Sequence, residues 1–431
     1  MNLYQETMTH LQECILPFWK GLRDDIQGGY ISSVGFDLRR EPRAERGCIL
    51  NSRILYFFSQ ASMSLEDPSL LPYAEHAYTA LLEMIDAENG GVFWSVHPDG
   101  SVMDSTKHTY NQAFAIYALS NYAQASGKTV PLEKARELFH LIERRCRDAG
   151  GYLEAFKADF SPESNEKLSE NGVMATRTMN TLLHVMEAYT ELYRVGTDVA
   201  VREKLLEMLD TWESHVYNPE RCRQEVFFDH DWKPLIDLHS FGHDIETSWL
   251  MDRTLDILDD PVLTGRVRPK LISLAETALS CAWTDHGFAN ESECGKVDET
   301  RVWWVQAEGV VGFYSAWQKY GDERYLDISG NNIQISSGIA GIRRTYDGIY
   351  CVEESFIDTK GDPKAHNRAG YCTIKREYDD NRNLISVSYY DTAGKAVVNK
   401  DNGIARVEYE YDELRNRVKE RHFDAAGNGV K

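Results

Sequence analysis

The stretch Gly90-Gly91-Val92-Phe93-Trp94 separates two pairs of segments that have helical patterns. Two glycines followed by an aromatic residue also occur earlier, at Gly28-Gly29-Tyr30, and later, at Gly150-Gly151-Tyr152, so that the three turns are almost equally spaced. Glycine readily adopts the left-handed conformation that ends a helix, and the aromatic residue is expected to start a short extended segment. The regular spacing predicts an internal repeat whose unit is a helical hairpin followed by a turn.

The repeat extends through most of the chain. Further turns are predicted at residues 226–229, 286–288 and 347–350. Apolar residues at helical spacing predict helices at 3–24, 48–63, 70–86, 107–127, 132–147, 173–195, 200–216, 243–258, 266–282 and 301–319. Six turns at this spacing predict an all-α fold over residues 1–330, a closed (α/α)6 barrel whose inner helices line a central funnel. Residues 325–343 are rich in poor helix formers, so the helix due there is expected to be missing.

The composition changes near residue 345. Phe356-Ile357-Asp358-Thr359-Lys360-Gly361 recurs as Tyr389-Tyr390-Asp391-Thr392-Ala393-Gly394 and, after the same interval, as His422-Phe423-Asp424-Ala425-Ala426-Gly427, which defines a 33-residue repeat. Alternating side chains between Asp, Gly and Asn turns predict β-hairpins over residues 345–431. This tail resembles the Tyr-Asp (RHS-like) repeats of bacterial surface and toxin proteins, and the simplest interpretation is a structural extension.

Charge and cysteine usage limit the possible functions. The 431 residues include 68 acidic and 47 basic side chains, a formal charge of −21. Nucleic-acid binding depends on neutralising phosphates, so this charge argues against it and suits a neutral ligand. Eight scattered cysteines form no Cys-x-x-Cys pair, which favours a reducing compartment. Neither a secretion signal nor a membrane span is found, and a cytoplasmic protein is therefore expected.

Two stretches suggest a site. In His239-Ser240-Phe241-Gly242-His243-Asp244-Ile245-Glu246-Thr247-Ser248-Trp249, Gly242 is expected to break the chain before a helix on which His243 and Glu246 share a face. In Arg301-Val302-Trp303-Trp304-Val305-Gln306-Ala307-Glu308, Trp304 and Glu308 share one. Indole rings beside fixed polar groups suit a sugar site. Core tryptophans with capping or ion-paired charges are the alternative.

Six stretches, in this order, also carry a family resemblance: Pro17-Phe18-Trp19 with Gly28-Gly29, Asn51-Ser52-Arg53-Ile54-Leu55, Lys107-His108-Thr109-Tyr110-Asn111, Thr178-Met179-Asn180 with His184, and the two stretches above. Over about residues 5–325 the chain resembles the N-acylglucosamine 2-epimerase family, and within it the enzymes that act on β-1,4-linked disaccharides such as cellobiose. The resemblance implies an (α/α)6 barrel. It also implies epimerisation at C2 of the reducing-end glucose, without a metal or nucleotide cofactor, by a monomer or weak homodimer.

The resemblance assigns roles to individual residues. It makes His243 a general acid/base oriented by Glu246. It places Arg53 at the carbonyl and enediolate oxygens, with Asn180 and His184 contacting the sugar and helping ring opening. The remaining substrate-binding residues that it implies are Trp304, Glu308, Trp249, Phe114 and Tyr110. These residue types fit the chemistry, because an enediolate needs donors at its oxygen and a histidine can take and return a proton near neutral pH.

The chain also departs from the family pattern. Inversion at C2 needs a proton delivered to the opposite face, and the family's second catalytic histidine lies in a Trp-containing segment that ends His-Asn-Gly-Arg. This sequence contains no such segment, and Trp304 is its last tryptophan. His366-Asn367-Arg368 looks similar but belongs to the 33-residue repeat. A further departure is Asn51, where relatives often have His.

Other functions use some of the same residues. An aldose–ketose isomerase would share the enediolate but return the proton to C1. A glycoside hydrolase would use two carboxylates, such as Glu246 and Glu308, and would leave His243 without a role. A carbohydrate-binding module would bind sugar without turnover. A metal site at His239, His243 and Glu246 is disfavoured, because Gly242 interrupts the regular helical spacing.

Overall fold

The computed structural model describes residues 3–430, apart from 36–38, 167–171, 285–286, 331–340, 348–349, 359–360, 367, 380–382 and 413–416. The chain divides into two compact units. The larger unit comprises residues 19–281 and 291–298, and the smaller unit comprises residues 1–18, 282–290 and 299–431. Each unit is described by itself.

The chain is mainly helical up to residue 330. Its α-helices are α1 Leu3–His10, α2 Leu16–Gly21, α3 Cys48–Ser64, α4 Leu71–Glu83, α5 Thr109–Ser126, α6 Val130–Arg145, α7 Met179–Gly196, α8 Val199–Thr211, α9 Phe241–Leu258, α10 Pro261–Ala282, α11 Trp303–Tyr320 and α12 Glu323–Gly330. Short π-helical turns, Leu11–Ile15 and Trp212–Val216, follow α1 and α8. These bounds confirm the predicted helices, with the largest differences at three ends: α7 begins six residues later than expected, α10 begins five residues earlier, and α8 ends five residues earlier, where a π-helical turn follows it.

Short strands connect the helices. They are β1 Arg46–Gly47, β2 Ser95–Val96, β3 Val102–Asp104, β4 Lys107–His108, β5 Arg147–Asp148, β6 Gly151–Tyr152, β7 Ala155–Phe156, β8 Arg177–Thr178, β9 Tyr217–Asn218, β10 Arg223–Gln224, β11 Phe227–Phe228, β12 Leu238–Ser240, β13 Trp283–Thr284, β14 Gly287–Phe288, β15 Glu291–Glu293 and β16 Lys296–Asp298. Strands β1, β4, β8 and β12 lead directly into α3, α5, α7 and α9, so each of these helices starts from a fixed position.

Burial divides the larger unit's helices into two layers. Of the 18 residues in α5, 13 are buried, as are 13 of the 18 in α9 and 12 of the 18 in α7. By contrast, only four of the 13 residues in α8 are buried and six of the 16 in α6. A helix buried on nearly all sides lies inside a fold, whereas one with a single apolar stripe covers it. Helices α3, α5, α7 and α9 therefore form an inner layer, and α4, α6 and α8 an outer layer.

The paired glycines lie inside small hairpins rather than at helix ends. Gly28, Gly29, Gly90 and Gly91 have positive φ angles, as predicted. They do not end the helices, however. Helix α4 already ends at Glu83, and Gly90 and Gly91 lie in the loop between Ile85 and Val92, which pair in an antiparallel bridge. The left-handed conformation turns the chain back on itself within the hairpin. That reversal directs it towards the next inner helix.

A repeated ion pair stabilises three of the hairpins. Asp24, Asp86 and Asp148 recur at equal intervals along the chain, and each accepts hydrogen bonds from the backbone N–H groups two and three residues later. Each also pairs with the basic residue that precedes an inner helix, at 2.9 Å for Asp24–Arg46, 2.6 Å for Asp86–Lys107 and 2.7 Å for Asp148–Arg177. The Asp–basic pair therefore connects the hairpin loop to the strand before the inner helix in three successive repeats.

In the smaller unit, the expectation that residues 325–343 lack a helix is wrong for the first part of that segment. Helix α12 runs from Glu323 to Gly330. Asp322 accepts a hydrogen bond from the backbone N–H of Arg324, and buried Tyr325 stacks on Phe313 of α11 with ring centroids 5.8 Å apart. Capping and aromatic packing thus outweigh the low helix propensity of the last residues. Residues 331–340 lie outside the described part of the chain.

Residues 341–430 contain one antiparallel sheet. Its strands, in sequence and in space, are β17 Gly341–Asp347, β18 Tyr350–Ile357, β19 Thr373–Tyr378, β20 Leu384–Tyr390, β21 Arg406–Tyr411, β22 Arg417–Phe423 and β23 Gly429–Val430. Strands β21 and β22 repeat β19 and β20 with the period found in the sequence. After β18, β20 and β22, the side chains of Asp358, Asp391 and Asp424 accept the backbone N–H four residues later. The repeated motif therefore produces the same turn three times.

No helix in the described ranges has the length and apolar character needed to cross a membrane.

Candidate active site

Several polar or aromatic side chains on the inner helices of the larger unit keep some solvent exposure. They include Arg53 and Tyr56 on α3, Tyr110 and Tyr117 on α5, Asn180 and Glu187 on α7, and His243 and Trp249 on α9. On α5 and on α7 the two named positions are seven residues apart, which is two helical turns. Each inner helix therefore contributes polar or aromatic side chains that solvent can reach.

Arg53 lies against two aromatic rings from α5. Its guanidinium carbon is 4.6 Å from the centroid of the Phe114 ring, a cation–π contact, and its side chain hydrogen-bonds Tyr110. Burial alone would lower the pKa of Arg53, but Tyr110, Glu187 and Glu246 raise it above its ordinary value. Burial raises the pKa of Tyr110 to about 12, although Arg53 opposes that shift. Arg53 is thus a permanent cation fixed at the site.

His184 is held between carboxylates from two helices. Its Nδ1 is 2.8 Å from Glu187 Oε2, one turn further along α7, and its Nε2 is 3.7 Å from Glu246 Oε1 on α9. The ring also packs against Tyr110 and Phe114, with centroids 5.0 and 5.1 Å apart. The predicted role of Glu246, to orient His243, stays a prediction, and the structure also brings Glu246 beside His184.

His243 lies in the first turn of α9. Its Nδ1 is 2.6 Å from the hydroxyl of Ser240. Ser240 is the N-cap residue of this helix but makes no side-chain capping bond to the backbone, so its hydroxyl serves the imidazole instead. Burial, together with the positive charge of nearby His184, lowers the pKa of His243 to about 3. His243 is therefore neutral at any pH at which the protein would normally work.

The start of α9 differs from the sequence prediction. Gly242 does not break the chain, because α9 begins at Phe241 and includes it. His239, on β12, is turned to Asp244, with its Nε2 2.8 Å from Asp244 Oδ2. Asp244 also accepts hydrogen bonds from the backbone and side chain of Gln224. His239 thus fastens α9 to its flanking strands. Within the described ranges, no group of three or more His, Cys, Asp and Glu side chains is arranged as a metal site.

A cavity extends beyond Trp249 between the inner helices. Its lining residues are Tyr56, Tyr117, Glu187, Thr190, Glu191, Trp249, Leu250 and Arg253. Glu191 is the buried anion of this region, and it pairs with Arg194 at 2.7 Å and with Arg253 at 2.6 Å. The lining combines rings with charged groups, which is the composition expected of a sugar-binding surface.

Two predicted sugar-binding residues belong to the smaller unit. Trp304 and Glu308 lie four residues apart on α11, both half-buried, whereas the preceding Trp303 is 77% exposed. Gln306, between them, uses its amide to bond both backbone groups of Phe288, at 3.0 and 2.7 Å. This fixes the start of α11. The sugar-binding roles of Trp304 and Glu308 stay predictions, as does that of Asn180.

Several residues of the site did not emerge from the sequence. Glu187 lies three residues after His184, and Ser240 lies three residues before His243. That spacing is the available signal, because residues three apart meet on a helix surface. Tyr56 and Tyr117 gave no signal, since single tyrosines in buried helices are usually core residues.

Comparison with known proteins supports one family. The sequence profile of the N-acylglucosamine 2-epimerase (GlcNAc 2-epimerase) family matches residues 12–337. The cellobiose 2-epimerase of Eubacterium cellulosolvens is 46% identical over 332 residues, which are 73% of this chain and 82% of that protein.

Two solved structures are similar over a larger share of the chain. A sugar epimerase from a ruminal bacterium superimposes with a TM-score of 0.76 at 39% identity, covering 84% of this chain and 92% of that one. The cellobiose 2-epimerase from Bacillus thermoamylovorans gives a TM-score of 0.73 at 36% identity, covering 85% and 94%. The chain belongs to the N-acylglucosamine 2-epimerase family.

Proposed function

We propose that this member of the N-acylglucosamine 2-epimerase family is a cellobiose 2-epimerase. It converts the reducing-end glucose of cellobiose and related β-1,4-linked disaccharides to mannose. The observation that carries the proposal is the grouping of Arg53, His184 and Glu246 from three inner helices, with His243 one turn before Glu246 on α9. The relatives of known activity support the choice of substrate, since two of them are cellobiose 2-epimerases.

The chemistry follows from the acidity of C2. Its proton is acidic only beside the open-chain aldehyde, and its removal places negative charge on O1. His243 accepts the proton at Nε2, which requires the tautomer whose Nδ1–H donates to the Ser240 hydroxyl, and that hydroxyl lies 2.6 Å from Nδ1. Arg53 stabilises the enediolate oxygen, because a cation already in place costs no reorganisation when the charge forms. No cofactor is needed for these steps.

The sugar itself needs flat rings and hydrogen-bond partners. In the larger unit, Asn180 is proposed to contact the hydroxyl groups of the sugar, and Trp249 and Phe114 are proposed to pack against it. In the smaller unit, Trp304 and Glu308 are proposed as sugar-binding residues. Support comes from their types and from the half-exposed positions of Trp304, Glu308 and Asn180. The pair Trp304→Ala and Trp303→Ala tests this directly. The first change is expected to raise KM for cellobiose about tenfold or more, and the second, at an exposed neighbouring position, is expected to leave it unchanged.

We further propose that the helical hairpins belong to an (α/α)6 barrel. The inner and outer layers of the larger unit support this fold, as do the structural relatives. A cytoplasmic monomer or weak homodimer is proposed as well. No disulfide joins the eight cysteines, which fits a reducing compartment. Size-exclusion chromatography with light scattering would determine the oligomeric state.

Product analysis after incubation with cellobiose tests the function. The proposal expects a disaccharide with mannose at the reducing end, and it expects His243→Asn to abolish this product without unfolding the protein. A fructose-ended disaccharide would instead indicate an aldose–ketose isomerase. Released glucose would indicate a hydrolase, and cellobiose bound but unchanged would indicate a carbohydrate-binding module. Any of these three results would reject the epimerase assignment.

A further inference from the structure

Epimerisation at C2 requires two proton transfers on opposite faces of one carbon. A base removes the proton from one face of the sugar, and an acid must return a proton to the other. His243 can serve one face only, unless the intermediate rotates. The second group should be a proton donor that lies near His243 and Arg53 on a different element.

His184 meets these requirements. It is 5% exposed and lies on α7, next to the helix that supplies His243. Its Nδ1 contacts Glu187 at 2.8 Å, and its Nε2 faces Glu246 at 3.7 Å. A protonated imidazole donates from both nitrogens, and hydrogen bonds from a cation to a carboxylate are about twice as strong as neutral ones. Both ring nitrogens of His184 thus lie beside carboxylates that can accept a hydrogen bond from a protonated imidazole.

The two histidines differ in their partners. His184 has a carboxylate near each nitrogen, and the Nδ1 of His243 lies beside the hydroxyl of Ser240. Burial, with a further contribution from His184, lowers the pKa of His243, so His243 is suited to accept a proton. Two titratable groups in different surroundings are the usual sign of an acid and a base.

We infer that His184, oriented by Glu187, is the second proton-transfer group of the epimerisation and delivers the proton that inverts C2. This inference rests on the proposed function. His243 takes the proton of C2, the electrons of that bond form the C1–C2 double bond, and those of the carbonyl move to O1. The carbanion at C2 then takes the proton from Nε2 of His184 while the carbonyl re-forms. His243 ends protonated and His184 neutral, and exchange with water resets both.

Deuterium exchange with each epimer as the starting sugar tests the inference. In heavy water, His184→Asn is expected to incorporate deuterium at C2 of cellobiose without forming the epimer, since His243 still removes and returns a proton on its own face. His243→Asn is expected to incorporate deuterium at C2 of the mannose-ended disaccharide only, because His184 would still remove and return a proton on the other face. Asn was chosen because its amide can replace the Nδ1–H donor, and His184→Gln serves if the Asn variant does not fold.

Glu187→Gln separates positioning from folding. It keeps the size and a hydrogen-bonding group but removes the charge that stabilises protonated His184. We expect kcat for epimerisation to fall by about 10- to 100-fold with KM nearly unchanged. We also expect exchange at C2 of cellobiose to be retained, so that the ratio of exchange to epimerisation rises. A purely structural role would lower both rates in proportion.

Two results would overturn the inference. If His184→Asn exchanged deuterium into neither epimer, the result would indicate that His184 acts in ring opening and not in proton transfer at C2. If His184→Asn formed the epimer at the wild-type rate, His184 would have no role in the reaction. Failure of the proposed function looks different, because wild-type protein would then leave both sugars unchanged.

Discussion

The buried pair of Lys107 and Asp86 offers the sharpest test of how the helical repeat is held together. Lys107 is fully buried, and its Nζ lies 2.6 Å from Asp86, which is 5% exposed. Its ammonium group also hydrogen-bonds the carbonyl of Gly90 and lies 4.6 Å from the Phe160 ring centroid. Replacing Lys107 by Met keeps most of the volume but leaves the Asp86 carboxylate without its counter-charge.

The structure sets the expected magnitude. Removing one partner of a buried ion pair costs about 3–5 kcal/mol, because the other charge stays buried and unpaired. Lys107→Met is therefore expected to lower the thermal midpoint by roughly 10 °C, measured by scanning calorimetry. Asp86→Asn combined with Lys107→Met should regain about 1 kcal/mol or more, since the double change removes the unpaired charge.

Lys128→Met is the matched control. Lys128 pairs with Glu75, but both side chains are about half exposed, at 49% and 46%. Such surface pairs contribute about 0–1 kcal/mol. If Lys107→Met destabilised the protein no more than Lys128→Met, the repeated Asp–basic pair would not be what fixes the hairpins to the inner helices, and that part of the account would be refuted.

Three further predictions concern the site and the turns. The pKa of His243 falls from its ordinary 6.5 to about 3 on folding, so below pH 6.5 the unfolded chain binds a proton that the native state does not. The free energy of unfolding of the wild-type protein should therefore fall between pH 7 and pH 5 by up to about 2 kcal/mol more than that of His243→Asn, as measured by urea titration. Arg53→Lys should lower kcat/KM for cellobiose about 100-fold with little change in stability, because lysine lacks the planar guanidinium that stacks on Phe114; an unchanged kcat would contradict its role at the enediolate. Gly91→Ala should lower the thermal midpoint more than Gly28→Ala. Both glycines have a φ angle of +76°, but only at Gly91 would the added carbon come within 2.7 Å of a side-chain oxygen. Equal effects of the two changes would count against the steric argument.

The sequence predicted the parts of the fold that depend on local patterns. Helices α3, α5 and α9 were predicted to within about two residues, because their apolar spacing is regular. The positive φ angles of Gly90 and Gly91 were predicted for the same kind of reason. The sequence did not predict that these glycines lie inside a hairpin. The hairpin depends on the Ile85–Val92 bridge and on the contact of Lys107 with Asp86, and Lys107 and Asp86 are too far apart in sequence for a local pattern to reveal their contact.

The site, too, has residues that could be predicted from the sequence and contacts that could not. The family resemblance selected His243, Glu246, Arg53 and His184, and the structure describes all four within the larger unit. It gave no sign of the contact between Glu246 and His184, because that contact joins α9 to the neighbouring helix α7. Partner choice of this kind is set by how helices pack, which the sequence of one helix does not contain.

The most direct test of the central claim is NMR of cellobiose incubated with the wild-type protein in heavy water. The account predicts that signals of a mannose-ended disaccharide appear and that this product carries deuterium at C2. Deuterium should also appear at C2 of the remaining cellobiose as the reaction nears equilibrium. A spectrum that shows neither the epimer nor exchange at C2, from protein shown to be folded, would contradict the claim that this chain is a sugar 2-epimerase.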